Sequence, residues 1–125
     1  MEGQVQLTSG IRELTVKATL WRWSNGDVAL RVAGDAEELL RRHVNEVVEV
    51  AVLDKTERVI AMFNSSLRFY KSNGYDYLVV FYPRKLTPML PIIEQSKDSD
   101  GKIWIVLRLL GVRKPTRKRE GGGGV

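Results

Sequence analysis

Leu14-Thr15-Val16-Lys17-Ala18-Thr19-Leu20-Trp21-Arg22-Trp23-Ser24-Asn25-Gly26-Asp27-Val28-Ala29-Leu30-Arg31-Val32 is the stretch that decides the fold class. Leu14, Val16, Ala18 and Leu20 fall on one side of an extended chain, and Thr15, Lys17, Thr19, Trp21 and Trp23 on the other. That separation follows because successive side chains of a strand point to opposite faces. Ser24-Asn25-Gly26-Asp27 is a tight-turn signal, since Asn-Gly accepts positive φ at both central positions. Val28, Leu30 and Val32 then alternate with Ala29 and Arg31, so the whole reads as a β-hairpin.

The period of two recurs along the chain. Val48, Val50 and Val52 alternate with Glu49 and Ala51 between Glu46 and Leu53. The polar turn Asp54-Lys55-Thr56-Glu57 leads into Arg58 to Phe63, apolar on both faces and therefore read as a central strand. Leu67 to Lys71 and Tyr75 to Tyr82 form a further hairpin across Ser72-Asn73-Gly74, in which Tyr77 shares a side with Val79 and Phe81 and is expected in the core. Pro83, Pro88 and Pro91 break the pattern and make a long connection. Ile103, Ile105, Leu107 and Leu109 alternate with Trp104, Val106 and Arg108 in a last strand.

Only one segment changes period. Asp35 can cap a helix over Ala36 to His43, with Glu38 closing a capping box. Two turns are marginal alone, so this helix is expected to plug one end of a sheet. About seven short strands and one short helix predict a mainly β, OB-like antiparallel barrel, because closure removes exposed edges. A β-sandwich is the competing arrangement.

The chain of 125 residues divides into one domain, residues 1–112, and a flexible basic, glycine-rich tail, residues 113–125. Arg113, Lys114, Arg117, Lys118 and Arg119 against Glu120 give the tail +4 of the chain's net +5, so the domain, with 15 basic and 14 acidic groups, is almost neutral. Such a balance argues against a broad nucleic-acid-binding face and for a module that docks on something. The tail itself is expected to supply weak, salt-sensitive nucleic-acid contact; the bland alternative is a solvated terminus. Gly121 to Gly124 lack the Lys-Ser or Lys-Thr and the helix that a phosphate loop needs.

Cysteine is absent, which excludes disulfides, thiolate metal sites and cysteine nucleophiles and fits a reducing, cytoplasmic setting. The sequence shows neither a membrane span nor a signal peptide, and the expectation is a monomer in isolation. His43 is the single histidine and pairs with no serine or acid as a triad would require. Asp98 and Asp100 resemble the start of a calcium loop, but no closing glutamate follows, so a solvated turn is expected. Glu37, Glu38, Arg41 and Arg42 stand at the spacings of surface ion pairs. No catalytic residues, cofactor or metal site are expected.

Two regions remain as candidate binding surfaces. Trp21, Arg22 and Trp23 combine aromatics with cations on the face that carries Lys17 and Thr19. They can anchor a protein interface, stack nucleobases, or simply cover the barrel's outer face. Arg68, Tyr70, Tyr75 and Tyr82, with Lys71, Arg84 and Lys85 nearby, form a second aromatic and basic region.

Val48 to Leu67 (VEVAVLDKTERVIAMFNSSL) resembles the middle of the eighth shared eukaryotic RNA polymerase subunit. There too an alternating strand passes through an acidic turn into an apolar strand that ends in small polar residues before a leucine. Lys102-Ile103-Trp104-Ile105-Val106-Leu107-Arg108-Leu109 resembles that family's closing strand, and Gly74 to Phe81 falls where the family has a glycine-led apolar strand. In length the chain is most similar to the archaeal branch of that family. Tyr82-Pro83-Arg84-Lys85 departs from the family's glycine-aspartate pair, and the Trp21/Trp23 hairpin has no counterpart. The resemblance covers about half the chain. It implies an OB-like barrel on the periphery of a DNA-dependent RNA polymerase, packed on a large subunit and without active-site residues of its own. A free-standing single-strand nucleic-acid-binding barrel is the alternative from a different class.

Overall fold

Strands β1 (Glu13–Arg22), β2 (Val28–Val32), β3 (Glu46–Leu53), β4 (Val59–Ser72), β5 (Tyr75–Tyr82) and β6 (Lys102–Arg113) close into one antiparallel barrel in the order β1-β2-β5-β4-β3-β6. The computed structural model describes residues 12–113. Closure is made by β6 against β1, from Glu13 opposite Arg108 to Thr19 opposite Lys102. The expected mainly β barrel is therefore present, closed and compatible with an OB-like arrangement. Among the described residues, no helix is long and apolar enough to cross a membrane.

The inward half of each alternation fills the barrel. Val16, Ala18, Leu30, Val32, Val48, Val50, Val52, Leu67, Leu78, Val80, Ile103, Ile105 and Leu107 form one buried cluster. Helix α1 (Asp35–Leu40) sends Leu40 into that core where β2 leaves the sheet, and α2 (Leu90–Gln95) sends Leu90 and Ile93 in where β5 leaves it. Because β2 and β5 run antiparallel, with Val28 opposite Tyr82, these two plugs stop opposite ends.

Several local expectations are corrected. Six strands replace seven because Asn64-Ser65-Ser66 does not end a strand. These residues keep pairing with β3, Asn64 opposite Glu49 and Ser66 opposite Val47, and from Leu67 onward the same strand pairs with β5. Small polar side chains leave the backbone ladder intact, and Ser65 Oγ donates to the Phe81 carbonyl at 3.0 Å beside the change of partner. The proline-rich connection also coils, as a 3-10 turn over Arg84–Met89 followed by α2. Pro91 falls in that helix's first turn, where its missing donor has no intrahelical partner to lose. Asp35 does not cap α1. Gly34 stands there with φ 70°, no side chain caps the helix, and the acidic Asp35, Glu37 and Glu38 occupy its first turn instead, where the helix dipole favours them.

The two Asn-Gly pairs build different turns. At Asn73-Gly74 both residues take positive φ, and Ser72 pairs directly with Tyr75. Between β1 and β2 only Gly26 does. Trp23 N–H donates to the Asp27 carbonyl at 2.9 Å and Gly26 N–H to the Trp23 carbonyl at 3.0 Å, which makes a three-residue loop ending in a left-handed glycine. The Asp98 loop is a turn as expected, its Oδ1 accepting from the backbone N–H groups of Asp100 and Lys102.

At the other terminus β6 carries its backbone pairing as far as Arg113, opposite Glu46, one residue into the segment assigned to the tail. Lys114, Arg117, Lys118 and Arg119 lie outside the described residues.

Candidate binding faces

Outward-pointing side chains of β1, β2, β5 and the second half of β4 gather most of the aromatic residues the sequence singles out. Trp21 and Trp23 come from two hairpin-end positions of the chain, Tyr75, Tyr77 and Phe81 from β5, and Tyr70 from β4. Trp21 meets Tyr77 with ring centroids 5.1 Å apart, Trp23 meets Tyr70 at 5.2 Å, and Tyr75 meets Tyr77 at 4.7 Å. These contacts are mostly edge-on or tilted, the geometry the ring quadrupoles favour. Beneath them Ala29 and Val79 point out of the barrel, yet both are 0% exposed and neither belongs to the inner core. The rings thus roof a small second core on the outside of the sheet.

This arrangement sorts the sequence-derived candidates. Trp21, Trp23, Tyr70, Tyr75 and Arg68 share the face. Tyr82 does not: it lies inside, against Phe63 at 5.3 Å, with its hydroxyl bonded to the Leu86 carbonyl. Strand parity turns Tyr82 inward and Phe81 outward, so Tyr77 is also corrected from the barrel core to the outer face. Arg22 bends to the Glu94 carboxylate of α2 at 3.1 Å. The Lys97 side chain, at 2.7 Å, and then Arg22 hold that carboxyl below the ordinary glutamate range.

Arg31 was not among the candidates. Its guanidinium carbon lies 4.7 Å from the Tyr77 ring centroid, and its Nε is buried without a hydrogen-bond partner among the described residues. Arg68 donates from Nη1 to Asn45 Oδ1 at 3.1 Å. Neither arginine has a carboxylate partner among the described residues, whereas Lys17, Arg22, Lys71 and Arg84 all do. A pocket of about 360 Å³ opens beside the rings, lined by Leu20, Trp21, Arg22, Trp23, Tyr70 and Ser72.

A different face lies across the barrel, on β6, β3 and the first halves of β1 and β4. Thr15, Val106, Ala51 and Met62 form one straight row over the four strands. Val59 and Met62 are each 52% exposed and Trp104 is 41% exposed. Ala51 and Leu53 are nearly buried beneath this surface although both stand outside the inner core. Two cations at its rim are paired, Arg108 with Glu49 at 3.3 Å and Lys17 with Asp98 at 3.1 Å, and Lys17 also lies over the Trp104 ring at 5.2 Å. A pocket of about 380 Å³ lies among Thr15, Leu53, Glu57, Trp104 and Val106. The signal for this face was present in the sequence: Arg58 to Phe63 is apolar on both sides, and only one of those sides is needed by the core.

Among the described residues no three His, Cys, Asp or Glu side chains gather as a metal site would require. The expectation that His43 has no acid partner is corrected: its Nδ1 pairs with Glu46 Oε2 at 2.9 Å, three residues on in the chain. Compared with models of known protein families, with curated proteins and with solved structures, the chain finds no match.

Proposed function

We propose that this protein is a non-catalytic subunit of a larger assembly, docked through the apolar face of β6, β3, β1 and β4. The observation that carries the reading is the row Thr15–Val106–Ala51–Met62, extended by exposed Val59 and Trp104. Contiguous apolar surface on a soluble domain marks an interaction site. An apolar centre with a polar rim is the anatomy of a protein interface. The partner we propose is a large subunit of a DNA-dependent RNA polymerase, with this barrel a peripheral module that supports transcription. What supports naming that assembly is the resemblance of Val48 to Leu67 and of the last strand to the eighth shared polymerase subunit. The resembling segments contain most of β3, β4 and β6, three of the four strands that build the apolar face.

The test is co-purification of the tagged full chain with the polymerase. Met62→Glu combined with Trp104→Glu should abolish association and leave circular dichroism and melting temperature nearly unchanged, because both side chains are already half in water. Association that survives both changes overturns the assignment of the face. Loss of association on replacing Trp21 and Trp23 instead would move the docking site to the aromatic side.

A further inference from the structure

Arg31 on β2 and Arg68 on β4 stand on either side of Val79 in a single cross-strand row. Both point outward into the aromatic face, which lies across the barrel from the apolar surface, and neither is paired with an acid among the described residues. We propose that this face binds single-stranded nucleic acid, with bases against the exposed rings and phosphates at the two arginines. The proposal is independent of the docking reading, since the two faces share no side chain.

The arginines supply the first half of the argument. Stacking on Tyr77 fixes the Arg31 guanidinium before any ligand arrives, and the buried Nε donor lacks an acceptor among the described residues. That atom is closed to solvent, so a phosphate meets the guanidinium through its Nη groups, whose planar fork suits phosphate geometry.

Carboxylates on an acidic peptide would suit the same fork, so the rings decide between the two. Trp21, Trp23 and Tyr70 wall a pocket of about 360 Å³, and Phe81 lies 40% exposed next to Trp23. Flat aromatic walls beside cations give a nucleobase a surface to stack on, whatever its sequence; an acidic side chain gains nothing from them. Bases in a duplex are already stacked on one another, so only an unpaired strand can offer its ring faces.

Binding of fluorescein-labelled decathymidylate and decauridylate to the full chain, read by anisotropy and by tryptophan quenching, tests the proposal. Because the basic tail is present in every variant, differences report the face. Arg31→Ala with Arg68→Ala should weaken binding about tenfold or more and make the log–log salt dependence shallower by about 1.4, at roughly 0.7 per phosphate released. Trp23→Ala should weaken it about tenfold through lost stacking; if that variant fails to fold, the half-exposed Phe81→Ala reads the same contact. Unchanged binding in the arginine and ring variants would assign all attraction to the tail and overturn the proposal. Equal affinity for a ten-base-pair duplex, or equal competition by polyglutamate, would overturn it too.

Discussion

The Tyr82 hydroxyl donates to the Leu86 carbonyl across 2.6 Å, joining the end of β5 to the 3-10 turn that leads into α2. Burial pushes the phenol's pKa above its ordinary value. This side chain, an interface candidate by composition, is a clamp. Tyr82→Phe keeps the packing on Phe63 and removes the bond, so it should cost about 1 kcal/mol in a denaturant titration. It should leave association with any partner unchanged; a lost association would return Tyr82 to a surface role.

Gly26 takes φ 96°, and an added Cβ would stand 3.4 Å from Arg84 Nη1. The conformation is the obstacle more than the space, because left-handed backbone costs a side-chain-bearing residue about 1–2 kcal/mol. Gly26→Ala should therefore lower stability by about that amount. Gly34→Ala, at φ 70° and ψ −146°, a region essentially reserved for glycine, should also destabilise although no atom lies within 4 Å of the new Cβ.

Four carboxyl groups are held below their ordinary pKa. Asp27 is lowered first by its bond to Arg84, Asp54 by the Arg58 backbone N–H, Asp98 by the Lys102 backbone N–H, and Glu94 by Lys97. A depressed folded-state pKa adds stability that is complete above the unfolded value and disappears as pH falls through the folded value. The melting temperature should stay level from neutrality down to about pH 5 and drop below about pH 4, the ordinary carboxylate range. Asp54→Asn should flatten part of that drop. A melting temperature constant down to pH 2 would contradict the assignment.

Trp21 has two roles. It roofs the Ala29 and Val79 side chains and also faces the pocket, so Trp21→Ser should lower stability by about 1–3 kcal/mol through uncovered apolar area. The far-ultraviolet spectrum should remain that of a barrel, because the inner core does not include this ring. Collapse of the fold would show that the outer roof is indispensable to closure.

How far the sequence was legible depended on parity. Where one face of a strand is polar, as in Leu14 to Leu20, the alternation identified inward and outward residues correctly. It failed where both faces are apolar. Tyr77, Val79 and Phe81 looked like core because three apolar side chains shared a side, and Met62 was assigned to a two-sided central strand for the same reason. In both cases the extra apolar side covers the outside of the barrel. Turn chemistry told where the chain reverses but not how, since Asn25-Gly26 and Asn73-Gly74 share a dipeptide and differ in φ at the asparagine. That Arg31 has no acid partner among the described residues depends on which acids lie across neighbouring strands, information that sequence spacing does not carry.

Pairing of Glu13 with Arg108 sets a timetable for the newborn chain. As synthesis proceeds, the β1–β2 hairpin can form early, but β1 keeps a bare edge until the last strand has emerged from the ribosome. Joining segments so distant in sequence is entropically demanding and slows folding relative to local contacts. Through that interval an unpaired strand edge lies beside exposed tryptophans, a combination prone to coalescence. Production of soluble protein should accordingly depend on how quickly residues 102–113 follow, and on whether a chaperone or a partner shields the waiting edge.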